Sequence, residues 1–140
     1  MSGVPLQKWM RIALALTAVM NIGGALAFAP LTKAGPEMLK LPGPVHPIYL
    51  WMIAEFIAVF GVAYAWCAVR GRAPRLFISM GAAGKLLFFG TLVAFWMTGA
   101  LTLDAAAGGI GDLIFGGLFL YWLHTVRGDA EGPIARRSET

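Results

Sequence analysis

Apolar positions run along this chain in four long blocks, and most of the polar positions fall between them. The blocks are Ile12–Ala29, Ile48–Val69, Leu76–Met97 and Leu101–Val126. A helix needs roughly 20 apolar residues to cross the ~30 Å hydrocarbon core of a bilayer. Each block approaches that length. The pattern therefore predicts an all-α bundle of four transmembrane helices, with spans at about 12–29, 48–69, 76–97 and 104–126. Residues 1–126 form a single domain on this reading, and 127–140 a polar tail.

Composition points the same way. The chain has 140 residues, enough for one soluble domain, but it is 59% apolar and 13% charged. Soluble domains run near a quarter charged. Little chain is left for a separate soluble domain.

Charge then sets the expected orientation. Lys8 and Arg11 precede the first block, Arg70, Arg72 and Arg75 fill the turn between the second and third, and Arg127, Arg136 and Arg137 follow the fourth. Positive loops stay cytoplasmic. All three clusters share one side if both termini are cytoplasmic. The opposite loop after helix 1, "PLTKAGPEMLKLPGPVHP", carries Lys33 and Lys40 as a mild exception. Its prolines and glycines forbid a long helix, although "PEMLK" is short enough to lie as a turn on the membrane surface. The net charge of +4 belongs to these flanks, so no nucleic-acid partner is expected; the partner is the lipid bilayer.

The first block also has features of a signal peptide, with Ala27-Phe28-Ala29 as a small-x-small site. Its length and the following Pro30 favour retention as a span. The tail, rich in charge and containing Gly and Pro, reads as mobile. Trp9, Tyr49, Trp51, Trp66, Trp96, Tyr121 and Trp122 fall near block ends, as an interfacial aromatic belt would. His46 reads as an interfacial residue and His124 as a cation at a helix C-terminus. Cys67, the single cysteine, forms no internal disulfide and reads as a packing residue.

Inside the spans, one strongly polar residue falls in each helix: Asn21, Glu55, Lys85 and Asp112. Intramembrane ionisable residues are costly and usually face a bundle interior or a wet cavity. At ~1.5 Å per residue, Asn21 and Lys85 lie near mid-membrane, with Glu55 about 10 Å from the outer face and Asp112 at that depth or shallower. Residues three, four and seven apart share a helix face. Thr17, Ala18, Gly24 and Ala25 surround Asn21; Gly81, Ala82, Phe88 and Phe89 surround Lys85; Ala105, Gly108, Gly109 and Gly116 surround Asp112. Small residues mark helix contacts in membranes. Glu55 sits among Trp51, Met52, Ala58 and Val59, a less informative face.

A lysine in hydrocarbon needs an acid partner or must lose its proton. The four residues are thus expected to meet as a ligand or proton site. With both acids ionised the cluster carries one net negative charge, which favours uptake of a proton or small cation. The competing expectation is a polar clasp that holds the helices in register. No paired His/Cys spacing, CxxC, phosphate loop or nucleophile elbow is present, so neither a metal nor a cofactor is expected. "GGALAFAP" and "GGIGDLIFGG" read as packing faces. Asn21 and Lys85, and likewise Glu55 and Asp112, occupy matching places in two helix hairpins, a faint repeat.

The glycine-containing first helix ending in "FAP", the Pro-rich loop, "AEFIAVFGVAYAW" before an arginine turn, "AAGKLLFF" and "GDLIFGGLFLYWL" together resemble small bacterial four-span proteins of the broad DoxX-like type. The resemblance implies a bacterial inner-membrane protein. Some DoxX-type proteins are linked to quinone-dependent sulfur oxidation or to membrane redox complexes, but the resemblance assigns no catalytic residue here. The expected function is proton-coupled transport or small-ligand binding, with a pathway requiring a homo-oligomer. The alternatives are an accessory subunit of a larger membrane complex and a membrane enzyme acting on a lipid-soluble substrate. The enzyme needs an apolar cavity of roughly 300 Å³ or more.

Overall fold

The computed structural model describes residues 3–31 and 45–135, with side chains as far as Val126. Its elements in chain order are strand β1 (Val4–Pro5), helix α1 (Lys8–Phe28), helix α2 (Pro47–Arg70), strand β2 (Arg72–Ala73) and helix α3 (Arg75–Met97). A short helix α4 (Leu103–Ala107) and helix α5 (Ile110–Ala135) complete it. Four segments of 21 to 24 residues, Lys8–Phe28, Pro47–Arg70, Arg75–Met97 and Leu103–Val126, are long and apolar enough to cross a membrane. At ~1.5 Å per residue they measure roughly 32–36 Å, enough for the hydrocarbon core.

Local chemistry fixes the helix ends. His46 caps α2: its Nδ1 accepts from the Ile48 N–H at 3.3 Å, and Pro47 occupies the first turn. Gly71 ends α2 with φ +65°, the left-handed conformation that a Cβ disfavours. His46 is thus a helix cap, which sequence reading had placed only at an interface. Lys33, Lys40 and the "PEMLK" turn lie outside the described residues, as do Arg136 and Arg137. The polar segment after Val126 continues α5 as helix to Ala135.

One pairing has no counterpart in the hydrophobic pattern. β1 lies antiparallel to β2, with Val4 opposite Ala73 and Pro5 opposite Arg72. The Leu6 N–H donates to the Gly71 carbonyl at 2.9 Å, and Arg72 Nε donates to the Gly3 carbonyl at 3.0 Å. Arg11 Nε reaches the Ala68 carbonyl at 3.0 Å. The start of α1 is therefore clipped to the turn between α2 and α3.

The helices pair as two hairpins, α1 against α2 and α3 against α5, joined chiefly through α1 and α5. Small residues allow the close approach. Ala54, Gly61 and Ala68 are buried at intervals of seven along α2, and a Cβ on Gly61 would meet Ile22 at 3.0 Å. On the other hairpin, a Cβ on Gly116 would stand 2.9 Å from Leu86. Packing differs between the two ends of the bundle. At the end carrying the arginine turn, Met10, Leu14, Tyr64, Ile78, Phe119 and Trp122 are fully buried and form a solid core. Trp122 belongs to this core and not to an interfacial belt. At the opposite end the interior is hollow.

Candidate functional site

The hollow is a cavity of about 490 Å³ between the two hairpins. Gly23, Gly24, Gly84 and Gly108 line it beside Phe28, Phe56, Ile57, Phe60, Met80, Phe88 and Leu92. Absent side chains make this space. A Cβ on Gly23 or Gly84 would meet nothing within 4 Å. Glycine runs that read as packing faces therefore serve two purposes, since Gly109 and Gly116 do pack while Gly23 leaves room.

The cavity floor is set by rings. Tyr64 packs on Phe60, Phe77 and Phe119 at centroid distances of 6.1, 5.2 and 5.5 Å. Its hydroxyl lies against Gly81, where any Cβ would collide with it. These rings bring α2 and α3 together near the arginine turn. Farther from the turn the two helices leave a seam. Phe56, 68% exposed, stands on the α2 side, and the exposed Phe88 stands on the α3 side. The large exposed side chains of the cavity lining therefore fall on α2 and α3.

Its polar wall holds three of the four residues singled out by the sequence. Lys85 lies about 15 Å along α3 from Arg75 and is only 6% exposed. Its Nζ donates to Asp112 Oδ1 at 2.7 Å and to Asn21 Oδ1 at 3.2 Å. Asn21 is held in turn by donation from Nδ2 to the Ile57 carbonyl at 3.4 Å. Lys85 Nζ also stands 5.9 Å from the centre of the Tyr64 ring, at the edge of cation–π range. Every one of these residues lines the cavity.

Asp112 owes its place to a break in the fourth span. The chain turns at Gly108 and Gly109, whose N–H groups donate to carbonyls three or four residues back, and α5 begins at Ile110. Asp112 therefore sits in the first turn of a helix, where the macrodipole favours a carboxylate. Irregular backbone at membrane depth is tolerated where it lines a cavity, and Gly108 does so.

Glu55 departs from the expectation. It is exposed on α2, does not line the cavity, and makes no hydrogen bond or ion pair among the described residues. Its neighbours Trp51, Met52 and Val59 are exposed with it. The face of α2 that turns inward is the one bearing Leu50, Ala54, Gly61, Tyr64 and Ala68. The cluster is consequently one ammonium and one carboxylate with an amide, electrically balanced, and not the net-negative group that two acids would make. The matched-hairpin idea fails at the same point, because Asp112 faces inward and Glu55 outward.

Tyr64 is the site residue that the sequence reading missed. Its signal was present in its spacing of three from Gly61 and four from Ala68, which places it on the small-residue face of α2. A second hollow of about 310 Å³ lies at the arginine-turn end, lined by Arg75, Ser79, Leu123 and His124. Among the described residues, no group of three or more His, Cys, Asp or Glu side chains is placed to hold a metal ion. No family model matches this chain, and no curated protein or solved structure matches it either.

Proposed function

We propose that this is an integral membrane protein that binds a small amphiphilic ligand drawn from the bilayer. The ligand enters between α2 and α3, lays its apolar part against the aromatic and aliphatic walls, and presents its head to Lys85 and Asp112. The observation that carries this reading is an apolar cavity whose wall holds a buried ion pair, with exposed rings of α2 and α3 in its lining. Cavities of roughly 300–1,000 Å³ with apolar walls and a few convergent polar groups are the usual form of ligand sites. The balanced pair holds no standing charge to attract a proton or cation, so binding is favoured over proton-coupled transport. Both termini are cytoplasmic on this reading, because Lys8, Arg11, Arg70, Arg72 and Arg75 gather at one end. The hollow then lies toward the outer leaflet. The resemblance to DoxX-like proteins fits a bacterial inner membrane.

Gly84→Phe tests the reading. A Cβ at this position meets nothing within 4 Å, so the new side chain starts in open space at the cavity wall. Protein purified in mild detergent should retain a small amphiphile by native mass spectrometry, and G84F should lose it while remaining folded. Nothing retained, or equal retention by both proteins, would overturn the reading.

Glu55 favours a second, compatible reading, that another chain covers the outer face of α2. A carboxyl on an apolar, exposed face is costly in lipid. Another chain, a second copy or a subunit of a larger complex, would shield it. Copurification of that chain, lost in Glu55→Leu with ligand retention unchanged, is the expected result.

A further inference from the structure

We infer that the head of the bound molecule is a neutral hydroxyl, so that the ligand is an uncharged hydroxylated lipid and not a fatty-acid anion or a cationic amphiphile. This rests on the binding reading above and adds the chemistry of recognition. Lysine carries three ammonium hydrogens. Two are committed, to Asp112 Oδ1 and to Asn21 Oδ1. The third remains available. On the carboxylate, Oδ1 takes the lysine, while Oδ2 has no partner among the described residues. The wall therefore offers one donor and one acceptor side by side, at a place where Asp112 retains 19% exposure and Lys85 6%.

A hydroxyl answers both at once. Its oxygen accepts from Lys85 Nζ and its hydrogen goes to Asp112 Oδ2. The Tyr64 hydroxyl, which makes no hydrogen bond among the described residues, lines the same cavity and can supply a further contact. Charged heads fit poorly for an electrostatic reason. The ion pair is already balanced, and a third charge in this low-dielectric space would stand without a counter-ion. A carboxylate would gain Lys85 but face Asp112; an ammonium would gain Asp112 but face Lys85. A plain hydrocarbon would fill the apolar walls formed by Phe28, Phe56, Ile57, Phe60, Phe88 and Leu92 while leaving donor and acceptor unanswered.

The experiment uses the full chain in vesicles of phosphatidylcholine. Four photoreactive probes share one long alkyl chain bearing a diazirine. They end in a hydroxyl, a carboxylate, a trimethylammonium group or a methyl group. Labelling of α2 and α3 peptides is read by mass spectrometry against G84F as the blocked control. The alcohol should label wild type at least about tenfold more than either charged probe, the factor that roughly 1.4 kcal/mol of lost pairing produces. In the double variant Lys85→Met/Asp112→Leu, the alcohol should fall to the level of the methyl-terminated probe.

Equal or stronger labelling by the carboxylate or the trimethylammonium probe overturns the hydroxyl assignment and leaves the binding reading standing. Equal labelling by the methyl-terminated probe does the same, because the pair would then recognise no head. Absence of labelling by every probe, or labelling that G84F does not reduce, overturns both. Should the double variant fail to fold, the wild-type comparison of four heads decides the matter alone.

Discussion

The pair of Lys85 and Asp112 should behave as one unit, and its strength can be worked from its geometry. At 2.7 Å and an effective dielectric of ~20, the gross attraction is about 6 kcal/mol. Desolvation of two nearly buried charges offsets much of this. What remains decisive is the penalty for leaving one charge alone: removing a single partner of a buried pair costs about 3–5 kcal/mol. Lys85→Met leaves the Asp112 carboxylate facing an apolar cavity, and Asp112→Leu leaves an ammonium there. Each should lower unfolding stability by about 3 kcal/mol or more in mixed micelles. The double variant removes both charges and should lose far less than the sum, giving a coupling of about 2–3 kcal/mol, at the upper end for contacting residues. Equilibrium unfolding followed by circular dichroism supplies all four corners of the cycle. Additive losses, or single variants within about 0.5 kcal/mol of wild type as for ordinary surface changes, would show that the two charges do not act as a pair. Either outcome would mean that the ammonium finds water and not the acid.

The remaining expectations concern packing and the excluded acid. Glu55→Gln should leave ligand retention unchanged in native mass spectrometry, because the side chain lies outside the cavity. Gly61→Leu should cost about 1–3 kcal/mol, since even a Cβ there would press on Ile22 and Asn21. Gly90→Ala is the matched control, with open space around its Cβ, and should be neutral or slightly stabilising in the same assay. Gly71→Ala should cost about 1 kcal/mol through its positive φ, and should loosen the clip between β1 and the arginine turn in hydrogen exchange at Leu6.

Much of this architecture is visible in the chain because membrane spans depend on a coarse signal, apolar length. The same logic exposes Asn21, Lys85 and Asp112, since each interrupts a run of apolar residues and shares a face with small ones. Glu55 satisfies the first criterion and meets the second only at Ala58. Of its i±3 and i±4 neighbours, Trp51, Met52 and Val59 are large and Ala58 is small, whereas Ala54, Gly61 and Ala68 mark the opposite face, and size at heptad spacing was the better guide to direction. The cavity was harder to foresee. Glycines that admit a neighbouring helix and glycines that leave a void look alike along a chain; only the placement of the partner separates Gly61 from Gly84. The clip of β1 on β2 is not legible at all, because two-residue strands have no periodicity and their pairing joins segments about seventy residues apart.

The central claim is that a bilayer molecule occupies the hollow between α2 and α3 with its head at the ion pair. Mapping the sites labelled by the photoreactive alcohol tests this most directly. Adducts should concentrate on cavity residues such as Phe56, Met80 and Phe88 and disappear in G84F. Adducts spread over the outward faces at Val59, Val69 and Leu87, indifferent to that substitution, would contradict it.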